Sequence, residues 1–201
     1  MPETYCSELE DRGVIRITGD DARDFLQGLI SNDINNVKPD RTIYAALLTP
    51  QGKYLFDFFI TEHNDALLFE PQQTRIPDLI KRLNLYKLRA KAELEDVSED
   101  WRVAAIWGEG AAETLSLPSD AGSTGSCGQG IAFVDPRLAA AGLRVLLPRG
   151  DALPEFNEST AKAYDSHRLA LGLPDGSRDL LLEKSILLES GFDELHGVDW
   201  N

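Results

Sequence analysis

The sequence predicts an α+β fold in two subdomains, and three observations predict it. Segments that alternate apolar and polar residues recur, at 13–18 and 88–97, and 101–108 reads as a further strand. Two amphipathic helical patterns lie between them, marked by Ala22, Phe25, Leu26, Leu29 and Ile30, and by Ile76, Leu79, Ile80 and Leu83. The stretch 43–60, IYAALLTPQGKYLFDFFI, sets two aromatic and aliphatic runs around Pro50 and Gly52, the pattern of a β-hairpin. Two helices on one face of a mainly antiparallel sheet satisfy these patterns together. A boundary near Glu99 divides the chain into residues 1–98 and 99–201, each an α+β subdomain.

The elements follow in order. Residues 13–18 (GVIRIT) read as a strand, and Asp20 or Asp21 caps the helix that comes next. A loop over 32–40 leads into the hairpin, where Pro50 pre-sets φ and Gly52 supplies the positive φ of a type II turn. Residues 66–70 form a short strand, the second helix follows, and 88–97 read as a strand. Beyond the boundary come a strand at 101–108, a short helix at 109–115 and a Gly/Ser-rich loop at 119–130. Strands at 131–134 and 143–147 flank Asp135-Pro136-Arg137. A helix over 158–171 ends at Gly172, with Pro174 just beyond.

Composition narrows the function classes. A formal net charge of −14 lacks the basic face that nucleic acid or an anionic membrane requires. No apolar run approaches the length of a membrane-spanning helix, and the first residues, MPETYCSELEDRG, lack a signal-peptide core. Cys6 and Cys127 form no C-x-x-C pair, and His63, His167 and His196 are too scattered for a metal-ligand pattern. These features predict a reducing, cytoplasmic setting with no metal site.

Six segments carry a resemblance. They are GDDARDFLQGLISNDI (19–34), YAALLTPQGKYLFDFFI (44–60), YKLRAKAELEDVS (86–98), FVDPRLAAAGLRVLLP (133–148), YDSHRLALGLPDGSRDL (164–180) and LLESGFDELHGVDW (187–200). In this order they resemble the YgfZ-type folate-binding proteins, relatives of the glycine-cleavage T-protein, an aminomethyltransferase. The resemblance implies the T-protein folate-binding fold, with the second subdomain returning a segment to a tetrahydrofolate site. It also implies support of iron–sulfur enzyme maturation or repair, with folate as ligand and iron–sulfur assembly proteins as partners. The family's K-G-C-Y-x-G-Q-E signature would begin where this sequence ends, at Asn201, so its reactive cysteine and C-terminal β-barrel are expected to be absent. The run Gly125-Ser126-Cys127-Gly128-Gln129 imitates that signature with the wrong spacing, in what reads as an exposed loop.

The same resemblance assigns residue roles. Glu189 matches the family's pterin anchor, where one carboxylate accepts two adjacent N–H donors. Asp57, between Phe56 and Phe58, is either a polar residue on a solvated strand face or the catalytic carboxylate beside the folate nitrogen that accepts the one-carbon unit. The T-protein carries two adjacent aspartates there, and this chain has Phe56-Asp57. Tyr86 either stacks on the ligand ring or packs in the core. Lys87 and Arg89, with Lys81, Arg82 and Lys91, form a basic island that either meets the folate glutamate tail or is ordinary solvated surface. Asn32 either caps or contacts ligand. Arg137 and Arg168 are expected to hold the two halves together through ion pairs. Two rival functions stay open: a T-protein-like aminomethyltransferase served by a lipoyl carrier, and a ligand-free scaffold for iron–sulfur assembly proteins.

Overall fold

A computed structural model describes residues 3–153 and 155–200; Asn201, where the expected signature would begin, lies outside them. The strands are β1 (Thr4–Glu8), β2 (Ile15–Thr18), β3 (Ile43–Leu48), β4 (Tyr54–His63), β5 (Ala66–Glu70), β6 (Glu93–Asp96), β7 (Trp101–Gly108), β8 (Thr124–Cys127), β9 (Gly130–Val134), β10 (Leu143–Pro148) and β11 (Asn157–Glu158). The helices are α1 (Ala22–Gln27), α2 (Ile76–Lys87), α3 (Ala111–Thr114), α4 (Ala161–Ala170) and α5 (Gly176–Asp179). Among the described residues the strands form two sheets, ordered β3, β4, β5, β2, β6 and β11, β1, β7, β10, β9, β8. The fold is α+β as the sequence predicts, and neither sheet closes into a barrel.

Alternation along the strands builds the layers. Leu26, Ile76, Leu79 and Leu83 of α1 and α2 pack on Ile15, Ile17, Ala45, Phe58 and Phe69, one face of the five-stranded sheet. Its other face, with Tyr44, Ala46, Phe59 and Leu68, meets Val103, Ala105, Phe133 and Leu146 of the six-stranded sheet. The far face of that second sheet buries Ala104, Ile106, Val145 and Leu147 against α3. Full burial of each such Leu, Ile or Phe contributes about 1.5–3 kcal/mol. The inter-sheet layer therefore joins the two halves of the chain.

One irregularity positions the site. In the β3–β4 ladder Leu47 pairs with Phe56, but Leu48 pairs with Tyr54, so Leu55 is an extra residue. A β-bulge of this kind shifts side-chain parity by one. Leu55 and Phe56 both face the helices, while Tyr54 joins the inter-sheet layer. The hairpin turn also differs from type II. Gly52 N–H donates to Thr49 O at 2.9 Å, and its φ is +75°. The positive φ thus falls on the fourth residue of the turn, which is the three-residue hairpin loop with a left-handed glycine.

Several expected elements move. Residues 88–92 do not enter the sheet: Leu88 has a φ of +44°, and Lys91 donates its N–H to the Asp21 carboxylate and accepts from Asp21 N–H through its carbonyl. Asp21 is the N-cap of α1, but its carboxylate accepts from Lys91 N–H rather than from the helix. The Gly/Ser-rich loop contains β8, paired with β9, and Cys127 is buried there rather than exposed. The helix expected from 158 starts at Ala161, because Thr160 Oγ1 accepts from Ala163 N–H and fixes the cap. Glu158 instead pairs with Cys6 in a short parallel contact. The first strand, β1, lies in a stretch that the sequence pattern left unassigned, and it joins the sheet of the later half beside β7.

Candidate functional site

Where the inter-sheet layer meets α4 and the 174–178 segment, a cavity of about 540 Å³ opens. Asp57 lies on its wall, because β4 turns this residue toward the second sheet. It is 7% exposed. The hydroxyl of Tyr54 donates to its Oδ1 at 2.6 Å and that of Tyr44 to its Oδ2 at 2.8 Å. Burial first, then the adjacent Asp57 charge, raises the pKa of both phenols, so both keep their protons. Asp57 is thus a buried carboxylate held by two hydroxyl donors. Its remaining lone pairs can accept from a ligand N–H.

Arginines define the rest of the wall. Arg137 forks onto Asp135 at 2.7 and 3.0 Å and donates to Pro174 O at 2.8 Å. Burial would raise the Asp135 carboxyl, but the Arg137 charge and hydrogen bonds reverse the shift, and its pKa is lowered. Arg12 holds Glu70 through Nε at 2.7 Å. Arg144 approaches Glu70 from β10 at 3.3 Å. Arg168 pairs with Asp165 and Asp179. Asp175 takes Arg178, and it is also lowered: burial opposes its charge, but Arg12, Ser177 and Arg178 favour it more strongly.

These pairings correct one expectation. The ion pairs of Arg137 and Arg168 stay within residues 135–179, so they do not bridge the halves. Among the bridging pairs are Arg144–Glu70 and Arg178–Asp11. Arg137 reaches across instead through its guanidinium face, 4.9 Å from the Phe59 ring centroid and 5.2 Å from that of Tyr44.

Of the expected ligand-contact residues Glu189, Asp57, Tyr86, Lys87, Arg89 and Asn32, Asp57 alone lines this cavity; Arg137 and Arg168, expected as ion-pair partners, line it too. Glu189 is exposed on the short turn Leu188–Ser190. The segment that carries it does return to the first half. Phe192 stacks on Tyr44 at 5.1 Å, and Asn32 donates to both Tyr44 O and His196 O at 2.8 Å. Tyr86 and Arg89 are exposed at the end of α2. Lys87 lines a separate surface groove with Arg16 and Asn84. Lys81 and Arg82 line another, with Phe56 and Leu85. The basic island is therefore not at the mouth of the cavity. Cys6 and Cys127 share the far core, where burial pushes Cys6 up to about 11 and raises Cys127 as well.

Sequence reasoning missed Tyr54, Arg12 and Arg144 as site residues. Arg144 had a usable signal, a charge inside the apolar run LRVLLP, the same signal that singled out Asp57.

Two sheets with a polar cavity between them and helices outside define a T-protein-like fold. The aminomethyltransferase T of the glycine cleavage system from Bartonella henselae superposes with a TM-score of 0.74 at 16% identity, over 92% of this chain and 55% of that one. The GCVT N-terminal domain matches residues 6–126, more than half of the chain, and the chain belongs to that family. Curated relatives include iron–sulfur cluster assembly factor IBA57 homologues. That of Coccidioides immitis is 31% identical over all of this chain and 51% of its own length. That of Mycosarcoma maydis is 28% identical over 96% of this chain and 49% of its own. The chain spans about half the length of these relatives. They are named as mitochondrial proteins, which overturns the expectation of a cytoplasmic setting.

Proposed function

We propose that this chain serves iron–sulfur cluster assembly and holds a tetrahydrofolate-class ligand between its two sheets. The observation that carries the reading is Asp57, a buried carboxylate fixed by two tyrosine hydroxyls on the wall of a cavity of about 540 Å³. That volume lies within the roughly 300–1,000 Å³ of small-molecule sites. The residues fit such a ligand. A reduced pterin presents N–H donors, and Asp57 has acceptor capacity to receive them. Tetrahydrofolate, when bound, supplies a carrier for a one-carbon unit. The protein's part is to orient the pterin at Asp57 and to exclude water beneath it. The names of the relatives support the assembly role.

Anaerobic calorimetry with tetrahydrofolate tests the reading. One saturable site is expected, weakened at least tenfold in Asp57→Asn. No saturable heat would remove the folate half of the proposal. The scaffold reading has its own observation. Leu85 and Leu182 are 62% and 52% exposed in a groove that also holds Arg75, Lys81 and Arg82 with Asp78 and Glu183, an apolar surface with charges of both signs suited to a segment of an assembly protein. Wild-type support of cluster delivery without folate binding, lost in Leu85→Asp, would favour it.

A further inference from the structure

We propose that Arg144 anchors an oxyanion subsite in the inter-sheet cavity, taking a carboxylate or phosphate group of the bound ligand. This rests on the cavity being a ligand site, and not on the ligand being a folate. Arg144 stands on β10, where alternation sends Leu143, Val145 and Leu147 to the far core and turns Arg144 and Leu146 toward the first sheet. Its side chain is 6% exposed and lines the cavity.

The guanidinium is poorly satisfied for so buried a cation. Its Nε and Nη1 are buried with no hydrogen-bond acceptor among the described residues. Glu70 Oε2 lies 3.3 Å from Nε, close enough for an ion pair but not aligned as a hydrogen bond, and Oε2 is itself unbonded. Arg12 takes the well-aligned contacts of Glu70, donating to Oε1 at 2.7 Å and to the backbone oxygen at 2.8 Å. Two cations therefore share Glu70; Arg12 also feels the charges of Asp175 and Asp57, and Arg144 that of Asp135, so what sets Arg144 apart is its unmade hydrogen bonds rather than net charge. The neighbours differ: Arg137 has both Asp135 oxygens and a carbonyl, and Arg168 has Asp165, Asp179 and Leu173 O. Unmade hydrogen bonds on a buried charged group are costly.

The geometry also presets the guanidinium. The Arg144 Cζ lies 4.9 Å from the Tyr164 ring centroid and 5.4 Å from that of Phe59. Held by the two rings, the planar guanidinium is fixed in advance for an oxyanion; Nε and Nη1 are fully buried, so Nη2 is the nitrogen that can donate to a group in the cavity. Among the cavity's carboxylates Asp165 and Asp175 pair with arginines and Asp57 accepts from two tyrosines while keeping its charge; Glu8, Glu10 and Asp11 also line it.

The test titrates the whole chain with inorganic phosphate and with glutarate, at constant ionic strength in chloride buffer. It reads the arginine Nε–Hε resonances and the heats. One of the two probes should shift the Arg144 resonance saturably, and which one does so identifies the oxyanion. Arg144→Gln should weaken that probe at least tenfold, and Arg149→Gln, outside the cavity, less than twofold. If Arg144→Gln does not fold, the wild-type resonance decides alone. No saturable shift with either probe overturns the subsite, as does unchanged affinity in a folded Arg144→Gln. Tetrahydrofolate binding that survives Arg144→Gln also overturns it and leaves the folate reading intact. Oxyanion binding without tetrahydrofolate binding sinks the folate reading alone.

Discussion

Tyr54 donates its hydroxyl to Asp57, three residues further along the same strand, at 2.6 Å. In a regular strand residues three apart face opposite sides of the sheet. The extra residue Leu55 cancels that parity and brings the pair together. The bulge is thus what equips Asp57 with its second donor, since Tyr44 on β3 would face it without any irregularity.

The pair can be weighed by a double-mutant cycle. Tyr54→Phe removes a hydrogen bond to a buried carboxylate and is expected to cost about 1.5–3 kcal/mol of stability. On an Asp57→Ala background the same change should cost under about 0.5 kcal/mol, since the hydroxyl then has no carboxylate to meet. Urea unfolding of the four proteins measures both numbers. Equal costs on the two backgrounds would show that the hydroxyl acts through packing alone.

Gly176 closes over the same pair. A Cβ at this position would lie 2.2 Å from Asp57 Oδ1 and 2.5 Å from the Tyr54 hydroxyl. Gly176→Ala therefore requires movement of α5 or of the carboxylate, at about 1–3 kcal/mol. The variant should lose stability in thermal unfolding and weaken any ligand that reaches Asp57. A wild-type melting temperature with unchanged binding would mean that the segment shifts without cost.

Legibility in the sequence followed the physics of each residue. Helices α1 and α2 could be read because one face of each is buried and periodicity reports that directly; strands β7 and β10, buried on both faces, could be read as short apolar runs. Asp57 could be read because a carboxylate between two phenylalanines breaks an apolar strand. Tyr54 could not, because its direction depends on the bulge register, which belongs to the pairing with β3. Arg12 and Glu70 sit in a turn and at a strand end, where charge is ordinary, and only the fold shows that they are buried. β1 was hidden because its short, partly polar stretch TYCSE is completed by partners far along the chain. Glu189 was placed by linear matching, but the short turn that carries it leaves it exposed.

Acid should act through Asp135 and Asp175, whose folded pKa values are both lowered. The unfolded carboxyl, near about 3.9, takes up its proton first as pH falls. The stabilisation is therefore complete above about pH 4 and is lost as pH drops through the folded values. Asp175→Asn should be less stable than wild type by about 1–3 kcal/mol at neutral pH, because Arg12 and Arg178 lose a charged neighbour. The gap should narrow as pH falls below about 4 and close only once pH passes the strongly lowered folded value of Asp175. Urea midpoints across this range check the sign; a gap that persists undiminished in acid would assign the loss to packing.

The thiols provide a probe of the far core. Cys6 on β1 and Cys127 on β8 are both buried, in the cluster with Ala104, Ala132 and Val145. Burial first, then the Glu8 charge, pushes Cys6 up to about 11, and burial and Asp151 raise Cys127. Only the thiolate attacks a disulfide reagent, so both factors protect the folded protein near neutral pH. Labelling should be slow in buffer and become rapid when denaturant opens the sheet. The protection should fall as pH rises toward the Cys6 value, since the thiolate fraction then grows. Cys6→Ser places a hydroxyl in an apolar cluster and should cost about 1–3 kcal/mol. Rapid labelling in native buffer would show that the sheet opens without global unfolding, at the β8 edge if Cys127 reacts first and at the β11–β1 end if Cys6 does.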